Sequence, residues 1–230
     1  MLMEAYRPLC QVDGCQKHPS GRSVYCPIHN KNAYERGHPT QPRVFPYLKP
    51  YIQRVEMWTK TIEGSKALQT TLSLYEKHTK HHRDATADEH DTVYRTGVRS
   101  TSPQTEMSAL ITGVSITKDA RKAVVQMIAY GLMWEEDPRS FRNDAAAICE
   151  AANIYLMGAS MLSKSTYNKA TGQFRTVPRY IKKATRNALG RWLMQHWVIL
   201  GITLSREWNK KLALELREKR ELTDLIKASA

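Results

Sequence analysis

No apolar run in this sequence approaches the roughly 20 residues that a membrane-spanning helix needs. The longest, such as Trp197 to Ile202, fall far short of it. The chain does not open on a basic stretch followed by an apolar core, so no export signal is read there. Both absences lead to the expectation of a cytoplasmic protein with no membrane partner. A phosphate-binding loop, a Gly-x-Ser-x-Gly elbow and paired Rossmann glycines are also missing. There is no internal repeat and no low-complexity tract. Cysteine is scarce: four in 230 residues, with none between Cys26 and Cys149. Acids are scarce in one region, where Lys164 to Lys211 holds eleven Lys and Arg against the single acid Glu207.

What is present is ordinary for a globular chain: 41% hydrophobic and 25% charged residues. The net charge is +13 and the isoelectric point about 9.7. Of that charge, +10 falls between residues 164 and 211 and only +3 elsewhere. Charge gathered in one region suggests a face that binds a polyanion.

The periodicities predict a mainly α protein: a small N-terminal zinc-binding module, then a helical domain with one candidate β-hairpin. Three segments are expected. Residues 1–43 form a zinc-knuckle module with its linker, 44–102 a long helix and a polar loop, and 103–230 a basic helical domain. The three prolines between Thr40 and Pro50 read as an extended linker, with a helix starting near Pro50 and Gly64 interrupting it. His78 to Ser102 reads as a polar loop or mobile connection, with a short helix within it as the alternative. Thr117-Lys-Asp-Ala resembles a helix cap, and Glu135-Glu-Asp-Pro138 a helix end with Asp137 ready to cap the next. Another helix is expected from Phe141 to Met157. The segment from Ser165 to Val177 places β-branched and aromatic residues about a Gly-containing turn, a hairpin signal. Helices from Pro178 to about Leu200 and from Leu204 to Ile226 complete the chain. The last alternates charge sign along an apolar stripe and reads as a packing or self-association helix, the expected place for protein partners.

The sharpest motif is Cys10-x4-Cys15-x10-Cys26-x2-His29. Thiolate and imidazole are zinc's preferred ligands in structural sites, and four of them complete its tetrahedron. Clustered cysteines beside a histidine, in a chain with no export signal, favour metal over disulfides. His18 and His38 compete as fourth ligand; His18 would crowd the first two, so His29 is preferred. Cys26 and His29 lie about one helical turn apart, so a helix is expected to grow from there. One structural zinc ion is the only cofactor expected, and a segment this small depends on it for folding.

The run Cys10-x3-Gly14-Cys15, then Gly21, Tyr25-Cys26-x2-His29 and Gly37-x-Pro39, resembles a zinc knuckle common in bacteriophage and mobile-element proteins. That knuckle is often attached to HNH homing endonucleases or other DNA-binding proteins. Lys31 and Arg36 stand where it places basic residues. Asn30 replaces its usual aromatic, and Glu35 dilutes the charge. The match covers about 30 residues, and implies phage or mobile-element origin and DNA contact.

The remaining candidates are weighed against blander readings. His78, His81, His82 and His90, with Asp84, Asp88 and Asp91, are the one other stretch suited to metal chemistry. An HNH core needs flanking strands and an asparagine; neither is present, so a solvated loop is the better reading. Cys149, on an alanine-rich face, reads as a small core residue rather than a nucleophile. Lys164, Lys169, Arg175, Arg179, Lys182, Lys183, Arg186 and Arg191 span the hairpin and the helix after it. Positions 179, 182, 183 and 186 would share one helical face. That stripe is the expected nucleic-acid contact, DNA before RNA; an ordinary solvated face is the alternative. The function expected is a DNA-binding accessory or regulatory protein. A metal-dependent nuclease with an unrecognised site and a subunit of a viral or nucleoprotein assembly are the runners-up.

Overall fold

The computed structural model describes residues 8–85, 102–159, 163–168, 173–178 and 181–228, the two strands and residues 222–228 at backbone level. Eight helices and one hairpin are found among the described residues. They are α1 (Pro27–Arg36), α2 (Phe45–Trp58), α3 (Ile62–Ala85), α4 (Pro103–Thr117), α5 (Ala120–Glu136), α6 (Asp144–Leu156), β1 (Ser163–Asn168), β2 (Gln173–Pro178), α7 (Lys183–Leu193) and α8 (Ile199–Ala228). A short 3-10 turn, Pro138–Ser140, precedes α6, and a π-helical turn, Met194–Val198, joins α7 to α8. The mainly α fold with an N-terminal cysteine–histidine cluster is therefore observed.

α5 is the axis of the molecule. Every residue from Ala123 to Met133 is buried, and a helix apolar on all sides belongs inside a bundle. α2, α3, α6, the π turn and α8 pack around it. α8 comes closest: a Cβ at Gly131 would overlap the Val198 carbonyl, and one at Gly201 the Ile128 carbonyl. These two backbones can touch only because both crossing residues are glycine. Tyr130 ties α5 to α6 by donating to the Ala147 carbonyl at 2.6 Å. Lys118 closes the far end of α6, its Nζ donating to the Ile154 and Tyr155 carbonyls at 3.3 and 2.9 Å. A cation is favoured at a helix C-terminus, yet burial and nearby Lys122 pull this lysine down to about 8.

Local chemistry explains several boundaries. Asp119 caps α5, accepting from the Arg121 and Lys122 amides, and the helix stops at Glu136. The helix expected from Phe141 begins later, at Asp144, because Asn143 takes the cap and accepts from the Ala146 amide at 2.8 Å.

Other expectations are corrected. The extended linker is cut short: α2 begins at Phe45, with Pro46 in its first turn, where a missing N–H costs nothing. Pro50 lies inside that helix, past its first turn, and removes one i→i−4 hydrogen bond, the one to the Pro46 carbonyl. The break falls at Thr59–Thr61, not at Gly64, whose amide donates to Thr61 Oγ1 at 3.0 Å at the start of α3. The stretch from His78 to Ala85, read as loop, is the last part of α3. Its imidazoles pack on Trp192 and Trp197, so tertiary contact overrides polar composition. The remainder of that stretch, His90 included, lies outside the described residues.

The end of the chain differs most. α7 starts at Lys183, not Pro178, and no gap separates the last two helices. α7, the π turn and α8 run on continuously. The π turn has a packing reason: it brings positions five apart onto one side, so Trp192 and Trp197 sit edge to edge at 6.1 Å, with Trp197 5.4 Å from Tyr75. Trp208 is the last anchor of α8, edge-on to Trp58 at 6.1 Å and beneath the Arg54 guanidinium at 4.5 Å. From Asn209 to Glu221 every residue is exposed.

The hairpin pairs β1 and β2 antiparallel, Ser163 opposite Pro178 and Asn168 opposite Gln173. Lys164 pairs with Val177 and Arg175 with Thr166, register positions on the same face of the ribbon.

Candidate metal centre

The segment before α1 is almost all turn. The Cys15 amide donates to the Val12 carbonyl at 3.0 Å, and Gly14 takes a φ of +74° that suits a residue without Cβ. The Cys10 amide donates to Lys17 at 2.9 Å and the Gln11 amide to Val24 at 3.1 Å, folding the loop back on itself. Cys26 caps α1 in an extended conformation, and Pro27 fills the first helical position. His29 therefore sits one turn in, on the side facing the cysteines.

The four ligand atoms of Cys10, Cys15, Cys26 and His29 all lie within 4.8 Å of one another. Cys15 Sγ is 3.9 Å from Cys26 Sγ, and His29 Nδ1 is 3.3 Å from Cys10 Sγ and 3.5 Å from Cys26 Sγ. A tetrahedral ion with metal–sulfur bonds of about 2.3 Å sets sulfur atoms about 3.8 Å apart. The cluster has the dimensions of a four-coordinate site and can hold one metal ion. His18, the rival ligand, turns away, its Nδ1 3.1 Å from the Pro8 carbonyl.

The sulfurs are unequal. Burial pushes the Cys10 thiol up, but the Cys26 and Val12 amides, His29 and Cys15 together outweigh it and bring it down to about 6. Cys15 is held lower by the Lys17 amide, yet burial and its two cysteine neighbours leave it raised. Three clustered thiolates repel, and a divalent cation between them removes that cost.

α1 has no buried residue of its own and is held by what it docks against. Tyr34 Oη donates to the Ile181 carbonyl at 3.3 Å and accepts from the Lys183 amide at 3.0 Å. The Tyr34 carbonyl accepts from Arg186 Nη1 at 3.1 Å, and the Glu35 carbonyl from Asn153 Nδ2 at 2.9 Å. Gly37 ends the helix at φ +78°, where a Cβ would overlap the Ala145 carbonyl of α6. The N-terminal module is thus fastened to both ends of α6 and to the first turn of α7.

The basic candidates are distributed unevenly. Lys31 is exposed and 4.0 Å from Glu35. Arg36 Nη1 donates to the Gln41 carbonyl at 3.3 Å. Lys183 and Arg191 are exposed on α7. Lys182 forms an ion pair with Glu106 at 2.6 Å, and Thr185 hydrogen-bonds the same carboxylate. Arg186 departs from the expected stripe: it is 8% exposed, among Tyr34, α1 and α6. Its position one turn before Leu189 and Gly190 puts it on the apolar side of α7. With α7 starting at Lys183 and Arg186 buried, the described members of the stripe, Lys182, Lys183 and Arg186, do not form one exposed helical face. Lys169 and Arg179 lie outside the described residues; Lys164 and Arg175 occupy the hairpin register already described. Cys149 is fully buried, its thiol 3.1 Å from Asn187 Oδ1.

Two functional side chains carried no motif. Tyr34 links three segments. Glu150 is a carboxylate only 4% exposed within an alanine-rich helix, and it accepts from the Val44 amide at 3.4 Å and from Asn153 Nδ2 at 3.1 Å. Burial raises its pKa, against Asn153, the Val44 amide, Arg36 and Arg186. An acid in an apolar, alanine-rich run was the signal available in the sequence.

No protein-family model matches this chain, and neither does any curated protein or solved structure.

Proposed function

We propose that the chain is a zinc-containing nucleic-acid-binding protein, an accessory or regulatory factor of a phage or mobile element that acts on DNA. The observation that carries the reading is the ligand set of Cys10, Cys15, Cys26 and His29 in a four-coordinate arrangement. Three sulfurs and one imidazole suit zinc, whereas magnesium and calcium take oxygen ligands. Four protein ligands leave no open position, so the ion is structural and the module is a rigid platform rather than an active site.

A second feature supports the reading. Tyr34 fastens α1, which carries Lys31 and Arg36, to the residues that open α7, Lys183 among them. In this reading, basic groups on two docked elements, about 150 positions apart in sequence, meet a phosphate backbone.

Elemental analysis of the purified chain is expected to find one zinc per molecule. Binding to duplex DNA is expected to weaken steeply with salt, by a log–log slope of roughly −0.9 for each phosphate neutralised. Replacing Lys31, Lys183 and Arg191 together with glutamine should flatten that slope by about 2 to 3 units. Replacing Lys210 and Lys211, paired with Glu207 and Glu63, should change it less. A triple variant that binds duplex DNA, single strands and RNA as the parent does at every salt concentration would overturn the nucleic-acid reading. The assembly-subunit reading would then lead, favoured by Leu212, Leu214 and Leu216 standing exposed on the projecting part of α8.

A further inference from the structure

A cavity of about 290 Å³ opens where the end of α1 and the start of α2 meet the second half of α6 and the first turn of α7. Arg36, Arg43 and Arg186 line it, along with the carboxylates of Glu35 and Glu150 and the amide of Asn153. Its other wall is apolar, built from Phe45, Ile154 and Met157.

One of the arginines, Arg186, is incompletely satisfied, although its guanidinium also lies 5.8 Å over the Tyr34 ring. Arg186 is more than nine-tenths buried and gives one N–H to the Tyr34 carbonyl, but its Nε has no hydrogen-bond partner. Arg36 donates one N–H to the Gln41 carbonyl. Arg43 is exposed at the rim. Among the described residues none of the three forms an ion pair with a carboxylate. A buried guanidinium with an orphaned N–H is destabilising, and an arrangement of that kind persists where a ligand completes it.

Glu150 shows where an anion is favoured. Its carboxylate accepts from the Val44 amide, at the point where α2 begins and its dipole is positive. Yet Glu150 satisfies neither Arg186 nor Arg36 directly, and burial moves it toward its neutral form. A tetrahedral oxyanion between Arg186, Arg36 and Arg43 would take what the carboxylate leaves unmet.

We infer that this cavity binds the phosphate of a phosphorylated ligand, with the arginines on the phosphate and Phe45 and Met157 against its organic part. Guanidinium forks match phosphate geometry, and the start of a helix adds a favourable field. The volume is near the lower limit of small-molecule sites, about 300 Å³, and exceeds what a bare anion needs. A free nucleotide and the 5′-phosphate end of a nucleic acid present the same chemistry. The site does not depend on the duplex-binding reading: it can bind inorganic phosphate in a chain that binds no DNA.

The test titrates the zinc-loaded full chain with sodium phosphate by calorimetry, against sodium chloride at equal ionic strength. Saturable binding specific to phosphate is expected. Arg43→Gln, at the exposed rim, should weaken it about tenfold, the loss of one charge-assisted hydrogen bond. Arg186→Lys should weaken it similarly, and Lys60→Gln, away from the cavity, should leave it unchanged. If Arg186→Lys fails to fold, Arg43→Gln decides alone. Phosphate that acts only as chloride does, or that binds Arg43→Gln as tightly as the parent, overturns the inference. Displacement of phosphate by a nucleoside monophosphate supports a free ligand. Displacement by a 5′-phosphorylated but not a 5′-hydroxyl oligonucleotide supports a strand end. Displacement by neither overturns the organic part of the ligand and leaves an inorganic-anion site.

Discussion

The two ends of the molecule are stabilised by opposite means. Between residues 8 and 40 only Cys10 and Cys26 are buried. In α5, eleven consecutive residues are buried, Ala123 to Met133. The first region has no core of its own, only its ligand cluster and the hydrogen bonds by which α1 docks, whereas the second excludes water with side chains, at roughly 25 cal/mol for each Å² of apolar surface buried. One chain therefore carries a part with a candidate metal cluster in place of a core and a part ordered by packing, joined through Tyr34, Asn153 and Gly37. The comparison suggests that the module and the bundle can be damaged separately.

The largest damage is expected in the bundle. Gly131→Val or Gly201→Val would force a branched side chain into the carbonyl of the helix it crosses. Overpacking of a core ordinarily costs about 1–3 kcal/mol, and a backbone clash belongs at or above that upper end. Denaturant unfolding followed by circular dichroism should show loss of stability on that scale or no folded protein. A variant as stable as the parent would mean that α5 and α8 do not meet at these glycines.

Next is the metal. Cys26→Ser, or removal of the ion by a chelator, should release the first ~40 residues while most helical signal remains, because coordination supplies local folding energy. Hydrogen exchange should quicken in residues 8–36 and stay slow in α5. Uniform quickening in both would remove the distinction between the two ends.

How much of this was legible follows the same division. The cysteine–histidine cluster could be read because its members lie within 20 positions and obey the spacing rules of one ion. The Asp119 cap, the stop at Glu136 and the hairpin's place were equally local. Four features were not legible. His78 to Ala85 is polar, and is helical because Trp192 and Trp197 cover its imidazoles. Arg186 counts as a basic residue in any stripe, yet its guanidinium meets a carbonyl about 150 residues away. Gly201 would ordinarily weaken a helix, but here a close crossing requires it. Pro50 signals a helix start, but the helix begins at Phe45, behind an earlier proline. In the first three cases a contact distant in sequence outweighed a local preference, whereas at Pro50 a nearer proline, Pro46, occupies the first turn.

The joint between the ends should give a smaller effect. Tyr34→Phe removes a hydroxyl that donates to Ile181 and accepts from Lys183. Two hydrogen bonds are worth about 1–3 kcal/mol together. That loss should appear as faster exchange in α1 with metal still bound and with α5 unchanged. If α1 and α5 quicken equally, module and bundle open as one unit.

The smallest effect expected is on pH dependence, and it is assigned to the bundle alone. His78 and His82 lie on α3 facing Trp192; His78 also meets Trp197 and, at 5.0 Å, His196. His82 Nδ1 is 3.0 Å from Ser108 Oγ on α4. Burial holds both imidazoles below their ordinary value of 6.5, with repulsion from His81, His196 and, for His78, Lys77 adding to it. An imidazole depressed in the folded state takes a proton less readily there than in the unfolded chain. Its stabilising contribution is therefore complete above pH 6.5 and is lost as pH falls through that value toward the folded-state pKa. Acid also expels a metal bound to thiolates, so the measurement belongs in the Cys26→Ser background, where that loss has already occurred. The denaturation midpoint of that variant should fall between pH 7 and 5.5. Adding His78→Asn and His82→Asn should flatten the fall, whatever the double change does to stability at pH 7. An equal fall with and without the two histidines would mean that acid sensitivity arises elsewhere. A fall found only with metal bound would assign it to the module at the other end of the chain.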